Sequence, residues 1–230
     1  MIYIVRHGQT DWNVQKKVMG RCDEPLNEKG KEQAEETRNC LKDTNLDLII
    51  CSPLQRARQT AETINRDRNI PIIYDNRIIE RDFGEFEGKE IKDFDFYGYW
   101  NYYKNDIYEK AENIQEFFKR IYAFLEDINN KYKDKNVLIV AHGGVSIPVA
   151  CYFNNNIPKG SLVDAGLVLG NCQIAEYPCI EINKNINIWV STNTQTSLIV
   201  SYLGNIPDTE TRFEHLALTL IQPVARVSVY

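Results

Sequence analysis

Apolar residues gather along the chain in two patterns. Four short runs, Ile2–Val5, Leu46–Ile50, Ile70–Tyr74 and Val137–Ala141, are bounded by charged or turn residues and have the length of strands buried on both faces. Between them the period lengthens. Ile114, Phe117, Phe118, Ile121, Leu125 and Ile128 recur every three or four residues while Lys, Glu and Asp take the intervening positions, which predicts a helix with one buried face. The charged, turn-poor stretch from Asn27 to Leu41 predicts a second helix. Ser52-Pro53 predicts a cap and a proline at the first helical position, opening a third helix that runs to about Arg66. Strand and helix alternate, so the expected fold class is α/β, with a mostly parallel central sheet covered by helices on both faces.

Two segments stand apart from this rhythm. Phe94–Tyr108 is crowded with rings (Phe96, Tyr97, Tyr99, Trp100, Tyr102, Tyr103, Tyr108). Because aromatics bury large areas wherever they occur, packing of a helical subdomain onto the sheet is favoured over a lid facing a substrate. Residues 185–230 contain no lysine and only five charged residues, and their runs Ile186–Val190, Ser197–Leu203 and Val224–Tyr230 are strand-like. The expected division is therefore a main domain at 1–184 and a β-rich C-terminal extension at 185–230. The extension could supply edge strands, a small appendage or a pairing surface for a second copy, which leaves a homodimer among the expectations.

The remaining composition narrows the function classes. At 230 residues the chain can bury one sizeable core. A formal charge of −5 argues against a general nucleic-acid or acidic-membrane binder, so any anion must be gripped by a local pocket. Six cysteines at 22, 40, 51, 151, 172 and 179 form neither a CxxC pair nor a disulfide framework, and read as reduced thiols. An apolar run starts at Ile2 with Arg6 close behind, so no cleavable leader is expected; no window reaches the roughly 20 apolar residues of a membrane span, and a cytoplasmic location is expected.

Candidate chemistry sits at the ends of two runs. Ile2–Val5 leads into Arg6-His7-Gly8, and Val137–Ala141 leads into His142-Gly143. Ligands in open parallel sheets bind beyond the carboxyl ends of the strands, so neighbouring strands would bring two of the chain's three histidines face to face. Arg6 precedes His7, and Arg56 lies near the start of the helix after Ser52-Pro53, where free backbone N–H groups already favour an anion. Arg58 is two residues further, about 200° around the helix, and is assigned to a surface ion pair. In-line phosphoryl transfer needs a nucleophile, cationic donors and an acid for the leaving oxygen. The run Glu80-Arg81-Asp82-Phe83-Gly84-Glu85-Phe86-Glu87-Gly88 offers four acids, and position alone does not choose among them.

Arg6-His7-Gly8-Gln9-Thr10 with Trp12-Asn13, the run from Cys51 through Ala61, the Glu80–Gly88 loop and Ala141-His142-Gly143-Gly144 together resemble, in this order, the histidine phosphatase (phosphoglycerate-mutase-like) superfamily. Asp23–Gly30 with Gln33-Ala34, and Gly170-Asn171-Cys172 opening a late strand, are similar as well. The resemblance implies that His7 is transiently phosphorylated and that Arg6, Arg56 and His142 hold the phosphoryl oxygens. It also implies that Asn13 and Gly143 line the phosphate site and that Glu80 is the proton donor, with no metal and no cofactor. His7 must attack through an unprotonated nitrogen, so its other nitrogen needs a fixed acceptor, and the carbonyl of Gly8 is one candidate.

Glu80 and His142 stand only 62 positions apart, like the compact phosphatase branch; the mutases it resembles carry a longer insertion there. The expected activity is hydrolysis of a small phosphorylated metabolite, and specificity is expected from Cys22, Glu24, the aromatic segment and the Ile157–Ser161 loop. A cofactor-dependent phosphoglycerate mutase is the alternative. A metal-dependent hydrolase is disfavoured by two arginines in the same pocket. A non-catalytic phospho-ligand binding module is disfavoured because recognition alone needs no acid.

Overall fold

The computed structural model describes residues 1–178 and three short strands beyond them, Trp189–Ser191, Ile199–Ser201 and Arg226–Val227. Strands β1 (Ile2–Arg6), β2 (Leu48–Cys51), β3 (Ile72–Tyr74) and β4 (Val137–Ala141) form a parallel array in the order β3-β2-β4-β1, and β5 (Ile174–Tyr177) pairs antiparallel on the outer side of β1. The α/β, mostly parallel expectation holds. All five residues of β4 and all four of β2 are buried, as continuous apolar strands in the middle of a covered sheet should be.

The helices are α1 (Asp11–Val14), α2 (Glu28–Cys40), α3 (Gln55–Asn65), α4 (Phe96–Tyr99), α5 (Ile114–Lys131) and α6 (Gly143–Phe153). Val5, Ile49, Cys51, Leu138 and Val140 form one buried cluster with Leu41 beyond α2 and with Ala57, Ala61 and Ile64 of α3. Alternation along each strand sends Ile2, Ile4, Ile50 and Ile139 to the other face, on the side of the packed pair α5 and α6. Each such Ile or Phe removed from water contributes about 1.5–3 kcal/mol before the entropy of ordering is subtracted.

Helix α3 begins two residues later than the Ser52-Pro53 signal predicts. Ser52 continues the sheet through its N–H to Val140 O at 2.9 Å, and its hydroxyl pairs with His142 at 2.7 Å while accepting weakly from Leu54 N at 3.4 Å, leaving Asp23 to cap the N–H of Gln55. The aromatic segment packs in part, against α5 rather than the sheet: Tyr99 and Trp100 are buried, Phe83 stacks on Tyr99 at 4.6 Å and Trp100 meets Phe117 of α5 at 6.0 Å, while Tyr97 and Tyr103 are exposed.

Residues 1–179 with 223–230 make one compact unit and 180–222 a second. In the first, β8 (Arg226–Val227) pairs antiparallel with β5. In the second, β6 (Trp189–Ser191) pairs antiparallel with β7 (Ile199–Ser201). The rest of the three runs expected to be strands between 186 and 230, and Cys179, lie outside the described residues. The other five cysteines are free. Among the described residues, no helix is long and apolar enough to cross a membrane.

Candidate active site

Strands β1 and β4 are direct neighbours with Arg6 opposite Ala141, so the next residue of each is delivered to the same end of the sheet. The His7 N–H continues the ladder to Ala141 O at 3.0 Å, and the His7 and His142 rings meet edge to face with centroids 5.3 Å apart. His7 is held from both sides. Its Nδ1 lies 2.7 Å from Gly8 O, while Arg56 Nε donates to its Nε2 at 3.2 Å. A guanidinium only donates and a carbonyl only accepts, so the hydrogen is on Nδ1 and the lone pair on Nε2.

Arg56 enters from the first turn of α3 and is fully buried. Besides His7, it donates through Nη1 to Cys22 O at 2.6 Å and through Nη2 to Gly20 O at 2.8 Å. Arg6 donates through Nη1 to Leu169 O at 2.8 Å, and its buried Nε has no partner among the described residues. Gly143 permits this approach, since a Cβ there would stand 3.2 Å from Arg6 Cζ. Asn13 closes a capping box on Thr10. Its Oδ1 accepts from Thr10 N at 3.1 Å and from Asn171 Nδ2 at 3.2 Å, which leaves its own NH2 group to donate.

The structure separates the four acids of the 80–88 loop. Glu80 reaches the N-terminus of α6: its Oε2 accepts from Gly144 N and its Oε1 from Arg81 N, each at 2.8 Å. Asp82 pairs with Arg21 at 3.4 Å, Glu85 is exposed near Lys89, and Glu87 binds backbone N–H groups of the 20–22 loop. Glu80 alone among them shares a cavity of about 150 Å³ with Arg6, His7, Asn13, Arg56 and Gly143. His142 is brought against His7 but is not in the cavity wall; its Nε2 is 2.7 Å from Ser52 Oγ and its Nδ1 is unpartnered among the described residues. A larger cavity of about 440 Å³ lies beside β3 and α5 but holds no histidine, and its Arg77 is already paired with Asp75 and Asp127.

Burial dominates the electrostatics. It drives both His7 and His142 well below the usual histidine value, with Arg56 and Arg6 adding repulsion, so both rings are neutral. It pushes Glu80 above the usual carboxylate value, against two backbone N–H groups and both arginines. Arg56 is held down to about 10, still charged at neutral pH.

Several contributors were not foreseen. Ser52 orients His142; Thr60 accepts from Gly8 N at 3.1 Å; Asn171 donates to His7 O at 3.0 Å. Apolar walls come from Phe83, Ile91, Ile147, Val163 and Val168, joined by Phe96 and Trp100, so the packed aromatic segment also lends two rings to the site. The expected rim is corrected in part. Cys22 and Glu24 do not line the cavity, because the Cys22 backbone is committed to Arg56 and Glu87, and the loop 157–161 is tied to the aromatic segment through the Asn101–Ser161 bridge, leaving Val163 and Val168 as the wall. Arg58 is exposed and makes no ion pair among the described residues. Among those residues, no three His, Cys, Asp or Glu side chains are grouped to hold a metal ion.

Known proteins resemble the chain over most of its length. The chain is 37% identical over 193 residues to "Uncharacterized phosphatase PhoE" of Bacillus subtilis, covering 83% of this chain and 96% of that protein. It is 28% identical over 210 residues to "Probable phosphoglycerate mutase GpmB" of Escherichia coli, covering 88% and 94%. The solved structure of Bacillus stearothermophilus YhfR superposes with a TM-score of 0.71 at 26% identity, covering 89% of this chain and 96% of that one. Residues 2–192 match the profile of the Histidine phosphatase superfamily (branch 1), and the chain belongs to that family.

Proposed function

We propose that the protein is a phosphomonoesterase that hydrolyses a small phosphorylated metabolite through a phosphohistidine on His7, without a metal or cofactor. The observation that carries this reading is the pair of hydrogen bonds on His7, which leaves the Nε2 lone pair on the side of Arg56. A phosphoryl group entering there displaces the Arg56 Nε–H from nitrogen to a phosphoryl oxygen, so the bond that holds the resting ring becomes a bond to the transition state. Arg6 and Asn13 add donors, and His142, neutral and edge-on to His7, backs the ring from behind the cavity wall.

Glu80 is the acid. Its raised affinity for a proton suits it to protonate the leaving alkoxide, and as a carboxylate it then takes a proton from the water that attacks phosphohistidine. Two backbone N–H groups hold it in place in either state.

Hydrolysis is favoured over isomerisation by the cavity wall beyond the phosphate donors. Apart from the acid Glu80 it is apolar except for Lys17, and the cavity's volume lies below the roughly 300–1,000 Å³ of drug-sized sites. Such a wall gives a departed alcohol few contacts with which to stay for the return of the phosphoryl group. The likeness to a protein named as a phosphoglycerate mutase keeps isomerisation as the second reading. Phosphate release and 3- to 2-phosphoglycerate interconversion, measured side by side, separate them. Enzyme denatured in alkaline detergent during turnover should carry an alkali-stable, acid-labile phosphate on His7, and the His7→Ala variant should be inactive. Isomerisation without release, or an active His7→Ala protein, overturns the reading.

A further inference from the structure

Glu87 is one of the three acids of the 80–88 loop that the proposed chemistry leaves unused, and its carboxylate accepts three backbone hydrogen bonds. Its Oε1 accepts from Arg21 N at 2.7 Å and Phe83 N at 3.3 Å, and its Oε2 from Cys22 N at 3.0 Å. The peptide joining Gly20 to Arg21 therefore has its N–H on the Glu87 carboxylate and its C=O on Arg56 Nη2 at 2.8 Å. A trans peptide points these two groups in opposite directions, so one rigid unit is strung between an anion and a cation. Each charge polarises the peptide toward the other, which strengthens both bonds. Gly20 is needed for the fit: its φ is +49° and a Cβ would lie 2.0 Å from Glu87 Oε1.

We infer that Glu87 is a positioning residue that aims the Arg56 guanidinium at His7 Nε2 through the Gly20–Arg21 peptide. It touches neither the cavity nor the reacting atoms. It fixes the loop whose carbonyls, Gly20 O and Cys22 O, hold both terminal nitrogens of Arg56, and Arg56 Nε then falls on His7. This inference rests on the reading of His7 and Arg56 given above, and its test is built to fail separately from it.

The test is a double-mutant cycle of Glu87→Ala and Arg56→Lys with p-nitrophenyl phosphate, joined to the Arg56 Nε–H resonance of the resting 15N-labelled enzyme. Glu87→Ala should lower kcat/KM about tenfold or more, the range seen when groups behind a reacting centre are removed. Glu87→Gln, which keeps one acceptor but faces the Cys22 N–H with a donor, should lose less. In the Arg56→Lys background the Glu87 replacement should cost under about twofold, because the aimed group is already gone. The Arg56 Nε–H signal should shift in Glu87→Ala and partly return in Glu87→Gln. An additive cycle, or a signal unmoved in both variants, overturns the inference. Should Glu87→Ala not fold, the Gln variant, alone and with Arg56→Lys, carries the same comparisons. An active His7→Ala protein sinks the phosphohistidine reading instead, while the resonance still reports on Glu87.

Discussion

Arg56 donates a hydrogen bond from Nε to Nε2 of His7 at 3.2 Å, placing a full positive charge against the nitrogen that must stay unprotonated for the proposed attack. A protonated ring could not accept this bond, and burial penalises its charge further. Attack by a histidine ordinarily fails below its own pKa, and here that point is moved to lower pH.

The first prediction follows from that sign. An ordinary histidine gains its proton near pH 6.5. The 13Cε1 and 15N resonances of His7 and His142 should stay those of neutral rings from pH 7.5 down to about 5.5, with the His7 hydrogen on Nδ1. A titration of His7 centred near 6.5 would contradict the geometry.

Glu80 carries the opposite sign. Burial raises its proton affinity above the usual carboxylate range, so the acid form proposed to serve the leaving group persists on the acid side and is lost as pH rises through the raised value. The Glu80→Gln variant should lose this alkaline limb. It should also slow alkyl phosphates by about 10²–10⁴-fold, the usual worth of general acid catalysis, and aryl phosphates far less, since aryloxide leaves with little help. Equal losses on both esters point to another acid.

How much of this was legible in the sequence depends on how local each cause is. His7 and His142 could be placed together because two apolar runs end in the same His-Gly step, and parallel pairing carries both ends to one place. Glu80 could not be told from Asp82, Glu85 or Glu87 by its neighbours. The choice is made by the N–H of Gly144, 64 residues away, and by Arg21, Lys89 and the 20–22 loop, which claim the other three. Ser52 read as a helix cap because its following proline is a local signal, whereas its partner His142 is 90 residues distant. Val163 and Val168 line the cavity from an irregular stretch with no period to reveal them.

Gly144 makes the placement of Glu80 testable from the opposite side. A Cβ at this position would lie 2.2 Å from Glu80 Oε1 and 2.6 Å from the Trp100 ring, and Trp100 is itself buried. Gly144→Ala should therefore displace the carboxyl and cost activity about tenfold or more, since small displacements of a reacting group are expensive. Gly160, with nothing within 4 Å of its Cβ position but a φ of +84°, gives a contrasting alanine variant. That change should cost stability alone, about 1 kcal/mol, and leave kcat near wild type. Kinetics and urea denaturation of the two variants check the difference; a fully active Gly144→Ala enzyme would remove Glu80 from the chemistry.

Ser52 and His142 offer a test that separates stability from catalysis. The imidazole of His142 is completely buried, and the Ser52 hydroxyl is its one hydrogen-bond partner among the described residues, at 2.7 Å. Ser52→Ala leaves the ring with neither nitrogen satisfied, which should cost about 1–3 kcal/mol in urea denaturation. Replacing the ring as well removes the unmet demand, because two apolar groups of similar shape need no bond. Ser52→Ala with His142→Phe should therefore be more stable than Ser52→Ala alone, yet inactive if His142 helps hold the phosphoryl group. A double variant that recovers stability and also turns over would make His142 a packing residue. A double variant less stable than Ser52→Ala would mean that the hydroxyl's bond is not what the buried ring requires.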